Sequence, residues 1–142
     1  MTMNLGPIFE PFELKSLKLA NRVAMAPMTR NFSPGNVPND DVVAYYKRRA
    51  EGGVGLLITE GTTVNHPAAN GYENVPFFHG EEALAGWKKV VDAVHEAGGK
   101  IFPQLWHVGA VRKEGMEPDP SVPGYAPSGM NRPGKVVCHV MT

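Results

Sequence analysis

A single cysteine, Cys138, stands in the 142 residues. It rules out an intramolecular disulfide and makes a reducing compartment, the cytoplasm, the expected location. An excess of one charge is missing too. Fourteen basic residues balance fourteen acidic ones, so neither nucleic acid nor an acidic membrane surface is an expected partner. No apolar run approaches the ~20 residues that cross a bilayer. The opening MTMNLGPIFEPFEL lacks the basic start and apolar stretch of a secretory signal. His66, His79, His95 and His139 have no spacing that suits a metal site, and no metal is expected. With 42% hydrophobic and 20% charged residues, the composition is that of a soluble globular chain long enough for a core.

Alternation and periodicity then order the chain. Residues 5–20 carry two prolines and a Lys15-Ser16 turn candidate, which suits a short hairpin. The nearly apolar run Val23–Met28 predicts a strand buried on both faces, ended by Pro27. TRNFSPGNVPN reads as a loop, with Asn39 or Asp40 capping a helix on which Val43, Tyr46 and Ala50 recur and which Gly52-Gly53 stop. Leu56–Thr59 is a second strand, leading into Glu60-Gly61-Thr62-Thr63. Leu84, Trp87, Val91 and Val94 mark a second amphipathic helix ended by Gly98-Gly99, and Ile101–Trp106 a third strand. Hairpin, β, α, β, α, β implies βαβ units with parallel strands. Residues 115–135 hold five of the thirteen prolines, so an irregular excursion follows. Three parallel strands leave two open edges, which either a doubly wound sheet or a barrel would extend; a closed barrel needs ~250 residues.

Ligands of parallel α/β folds bind at the carboxyl ends of the strands. There the sequence places Ala26-Pro27-Met28-Thr29, Glu60-Gly61-Thr62 and Gln104-Leu105-Trp106-His107. A hydroxyl, a carboxamide, a glycine that admits close approach and apolar backbone suit a flat ring with polar edges. Glu60 reads as a buried carboxylate bonded to backbone or arginine rather than a general base, Trp87 as core, and His107 as a structural residue near the mouth. Glycines 52, 53 and 55 follow a helix and precede a strand, the reverse of a phosphate loop. Cys138 beside His139 is not a nucleophile pair.

The stretches LANRVAMAPMTR (19–30), LLITEG (56–61), GWKKVVDAVH (86–95), QLWHVG (104–109) and APSG (126–129) resemble, in order and spacing, motifs of the Old Yellow Enzyme family. The resemblance implies the N-terminal part of a (β/α)8 TIM barrel: a barrel-bottom hairpin in 1–22, βαβαβ in 23–108, and an active-site cap in 109–142. It implies FMN at the barrel mouth, with Ala26, Pro27 and Met28 against the isoalloxazine. Thr29 would bond to the flavin carbonyl and tune its potential, Gly61 would leave room for the pyrimidine edge, Gln104 would bond to that edge, and Trp106 would face the substrate. The activity implied is hydride transfer from NADPH or NADH, through the flavin, to an electron-poor alkene. The family often has arginine after WHVG, where Ala110 stands here. Its substrate-anchoring pair and tyrosine proton donor would lie beyond Thr142, so a second chain supplying the rest of the barrel is the expected partner. The competing expectation is a non-catalytic partial barrel acting as a structural module or homo-oligomer.

Overall fold

The computed structural model describes residues 4–117 and 119–141. Phe12–Leu14 (β1) and Leu17–Leu19 (β2) pair antiparallel, Leu14 opposite Leu17. Lys15 makes the turn at φ 54, which confirms the expected hairpin and its turn.

Ala24–Met25 (β3), Leu56–Thr63 (β4) and Ile101–Trp106 (β5) form a parallel sheet in that order. Asp40–Glu51 (α1) and Glu81–Glu96 (α2) are the connecting helices. The Asn39 side chain accepts the Val42 N–H at 3.1 Å, and Asp40 and Asp41 lie in the first turn, where the helix dipole favours negative charge. Gly53 at φ 85 and Gly98 at φ 78 turn the chain out of each helix, as expected. The first strand is shorter than the predicted 23–28, for a physical reason. β3 is bonded on one side only, and Pro27 has no N–H with which to extend the ladder.

The core lies between the helices and one face of the sheet: Val42, Tyr46 and Ala50 from α1, Trp87, Val90 and Val94 from α2, and Leu57 from β4, with Met25 and Ile101 packed against them. Each large apolar side chain buried here stabilises the fold by about 1.5–3 kcal/mol. Both helical stripes sit slightly out of phase with the predicted ones. On α1, Val42 rather than Val43 is buried, together with the predicted Tyr46 and Ala50. On α2, Ala83, Gly86 and Val90 face inward, and Leu84 is 45% exposed. Gly86 explains the rotation: a Cβ there would stand 2.5 Å from the Pro38 carbonyl oxygen, so only glycine lets the helix approach so closely. Trp87 is a core residue whose indole N–H donates to the Phe77 carbonyl at 2.9 Å.

Alternation places Ala24, Leu56, Ile58 and Phe102 on the opposite face, which no helix covers; Phe102 is 49% exposed. The edges of β3 and β5 are unpaired among the described residues. The architecture is part of a (β/α)8 barrel, without closure. Beyond Gly109 the chain is more ordered than its composition suggests. Tyr125–Ala126 (β6) pairs parallel with His139–Val140 (β9), and Met130–Arg132 (β7) pairs antiparallel with Lys135–Val136 (β8). Among the described residues no helix is long and apolar enough to cross a membrane.

Candidate functional site

The ladder between β4 and β5 is regular as far as Ile58 opposite Phe102, and resumes at Gly61 opposite Gln104. Thr59 and Glu60 thus face Pro103 alone, a bulge of one extra residue. Pro103 offers no N–H there, and side chains replace the missing ladder. The Gln104 N–H donates to Thr59 Oγ1 at 3.0 Å, and Thr62 Oγ1 donates to the Gln104 carbonyl at 3.0 Å. Two buried threonines therefore fix the backbone of Gln104 from both sides.

The bulge also buries Glu60 completely. Arg30 meets it with the guanidinium at 2.6 and 3.2 Å from Oε1, and with its own backbone N–H at 3.1 Å from Oε2. The guanidinium lies 3.7 Å from the centre of the Tyr45 ring and 5.1 Å from that of Tyr46, a cation–π arrangement in a nearly dry setting. Tyr46 Oη accepts the Glu60 N–H at 2.8 Å. Burial pushes the Tyr46 phenol up to about 12; the nearby Glu60 charge adds to this, and the Glu60 backbone bond and Arg30 oppose it. The carboxylate at this strand tip is a paired structural group, as the sequence suggested, and no free base.

Arg30 also gathers the tips. The β3–β4 ladder ends with Met25 opposite Leu57. Five residues on, Arg30 bonds to Glu60, the residue before Gly61, and ties the two segments together again. Ala26, Pro27, Met28 and Thr29 therefore lie between the end of β3 and the Glu60 contact, and Gly61, next to Glu60, is paired with Gln104. Ala26, Met28 and Thr29 are exposed, and Pro27 and Gln104 half-buried. Among the described residues the Thr29 hydroxyl and the Gln104 carboxamide make no side-chain hydrogen bond.

Trp106 packs over this cluster. A Cβ on Gly61 would fall 2.4 Å from the indole, so the glycine is what admits the tryptophan. The indole stacks on Tyr72 at 5.8 Å, and its buried N–H has no partner among the described residues. His107 stands beside it, its pKa lowered by burial first and by the like charge of His66 second. Cys138 is a half-buried free thiol apart from the tips.

Sequence reasoning missed four residues here: Thr59, Thr62, Arg30 and Arg112. The last is fully buried. Its guanidinium donates to the carbonyls of Asn70, Met116, Glu117, Asp119 and Val122, which draws the 113–122 loop around one side chain and ties it to the loop after β4. An arginine at Ala110 was the absence noted in the sequence; this one, two residues later, does the anchoring.

Helices on one face, three parallel strand ends converging on polar but uncharged groups, and a structured excursion after the third define a section of a TIM-barrel ligand site. Residues 7–142 match the NADH:flavin oxidoreductase / NADH oxidase family, and the chain belongs to it, within the Old Yellow Enzyme group. 12-Oxophytodienoate reductase 7 of Oryza sativa subsp. japonica is 44% identical over 118 residues, which are 83% of this chain and 29% of that protein. Morphinone reductase in complex with tetrahydroNAD superposes with a TM-score of 0.80 at 40% identity, over 95% of this chain and 39% of that one. The old yellow enzyme homologue from Zymomonas mobilis gives 0.80 at 29% identity with the same coverage, 95% and 39%. The chain thus spans well under half the length of these relatives.

Proposed function

We propose that this chain supplies the isoalloxazine-binding part of an FMN-dependent ene-reductase, active once the rest of the barrel is present. The observation that carries the reading is the direct register of Gly61 and Gln104 at adjacent strand tips, with Thr29 one residue before Arg30, which bonds to Glu60. The residues present suit the cofactor. Thr29 and Gln104 offer donor and acceptor groups for a ring with carbonyl and N–H edges, and the one carboxylate nearby is neutralised by Arg30. When bound, FMN would take hydride from NADPH or NADH and pass it to the β-carbon of an electron-poor alkene.

The chain's own residues position and shield. Thr29 would donate to a flavin carbonyl, Gln104 would bond to the pyrimidine edge from a backbone clamped by Thr59 and Thr62, and Ala26, Pro27 and Met28 would line the ring through their backbone. Trp106 would wall the substrate side, and residues 109–142 would cap it. The tetrahydroNAD complex of morphinone reductase supports a nicotinamide reductant. The lone free thiol suits the cytoplasm.

Co-expression with the complementary part of the morphinone reductase barrel tests this directly. The expected product is a yellow heterodimer that carries FMN in native mass spectrometry and oxidises NADPH or NADH when given an activated alkene. A colourless heterodimer overturns the assignment. The uncovered sheet face, with Phe102 about half exposed, favours one second reading, a flavin-free homo-oligomer that buries that side chain. Size-exclusion chromatography of the chain alone separates the two.

A further inference from the structure

Two loops each use a histidine in the same way. After β4, the Ala68 N–H donates to His66 Nδ1 at 3.1 Å; after β5, the Gly109 N–H donates to His107 Nδ1 at 3.1 Å. Each ring closes its turn by accepting from the N–H two residues on. In the neutral ring the proton therefore sits on Nε2. The loops are themselves joined, since the Val108 N–H donates to the Ala69 carbonyl at 3.1 Å. The two ring centres are 5.6 Å apart.

Residues 124–141 rest on these rings. Tyr125 meets His66 edge-on at 5.8 Å, and His139, opposite Tyr125 in the β6–β9 pair, stacks on the phenol at 5.3 Å. Among the described residues no hydrogen bond links 124–141 to 64–111, so that segment is seated by packing and not by a ladder. Proton uptake would undo both turns. A ring can take its second proton only at Nδ1, where one N–H would then confront another. Two charged rings would also repel at this separation. The surroundings do not offset that charge. One cleft beside His66 is shared with His107 and Tyr125, the other with His79, and no carboxylate lines either. Arg112, bonded to the Asn70 carbonyl on the loop of His66, adds a fixed cation.

We propose that His66 and His107 form a pH-sensitive latch, which seats residues 124–141 on the strand-tip loops when both rings are neutral and releases them in acid. The released form is the one that takes up protons, so acid favours it. The change falls below the ordinary histidine value of 6.5, in line with the depressed value of His107. The latch does not depend on the flavin reading.

Amide hydrogen exchange of the purified protein, together with any polypeptide that accompanies it, tests the latch at about pH 7.5 and about pH 5. After correction for the intrinsic rate, exchange at Ala68, Gly109, His139 and Met141 is expected to quicken about fivefold in acid, the equivalent of one lost hydrogen bond. The amides of α1 and α2 are expected to keep their protection. His66→Asn combined with His107→Asn places an oxygen where each Nδ1 stood, which preserves both turn bonds and cannot titrate. In this double variant the ratio between the two pH values is expected to fall close to one, whatever its baseline. Should the double variant fail to fold, the imidazole nitrogen resonances of the unaltered protein decide, because they distinguish a bare ring nitrogen from a protonated one. Both Nδ1 atoms are expected to be bare at the higher pH and protonated once the segment is released. Unchanged exchange in acid, a step that persists in the double variant, quickening shared equally by α1 and α2, or rings still neutral at the release overturns the proposal.

Discussion

Residues 24–106 and residues 107–141 are held together by different physics. The first region buries aliphatic and aromatic side chains between two helices and a sheet. In the second, Ala126 is the sole buried apolar residue among those described, and order comes from one guanidinium bonded to five carbonyls. Apolar packing is spread over many contacts and loses stability gradually when one is changed. A single buried cation at the centre of a loop concentrates that dependence in one side chain. The comparison also assigns tasks. The packed region carries the strand tips rigidly, while the loop region can be reshaped without disturbing them.

The largest expected effect lies in the packed region. Arg30→Met leaves the Glu60 carboxylate buried without a counter-charge and is expected to cost about 3–5 kcal/mol, comparable to an interior cavity. Urea denaturation measures it; a loss below about 1 kcal/mol would mean that water reaches Glu60. Arg112→Gln should be weaker and local, about 1–3 kcal/mol. Hydrogen exchange is expected to quicken across 113–122 while the amides of α1, α2 and β4 keep their protection. Equal acceleration in both would merge the two regions into one cooperative unit.

Two titrations sharpen the contrast further. Tyr46 belongs to the packed region, and its folded-state value of about 12 lies above the ordinary 10.0. The folded protein therefore holds that proton longer than the unfolded chain. Its contribution is intact below pH 10.0 and declines as pH rises toward 12. Ultraviolet difference absorption should show one tyrosine ionising last, and Tyr46→Phe should remove that step. His107, at the junction, is shifted the other way. Its folded value lies below 6.5, so the unfolded chain binds the proton first. The stability it contributes is present above pH 6.5 and is lost as pH falls through the depressed value. The effect is the smallest of the four, and a flatter acid limb in His107→Asn is the outcome that checks it.

How much of this was legible in advance varies with the kind of interaction. The βαβαβ order, the helix stops and the strand-tip residues follow from apolar spacing and glycine pairs, which are local. The α2 stripe came out rotated because Ala83 and Gly86 are small. Apolar periodicity favours large residues such as Leu84, whereas burial here follows the close approach of Pro38. Arg112 was invisible, since its partners are backbone carbonyls that leave no trace in side-chain pattern. Thr59 and Thr62 look like ordinary strand residues until the bulge is known. The bulge depends on Pro103, more than forty residues away along the chain, and on nothing local to Thr59.

The bulge absorbs that extra residue in β4, so the pairing with β5 is kept while the alternation along the chain slips by one place. Below it, odd-numbered positions such as Leu57 turn toward the helices. Above it, Gly61 shares a side with Gln104. Deleting either Thr59 or Glu60 would leave composition and hydrophobicity nearly untouched. It would also keep Gly61 opposite Gln104, and would instead remove one contact of the tip: the Thr59 hydroxyl that receives the Gln104 N–H, or the Glu60 carboxylate that pairs with Arg30. A one-codon loss at this spot would be silent in content and in register, and felt only as a missing acceptor or a missing counter-charge.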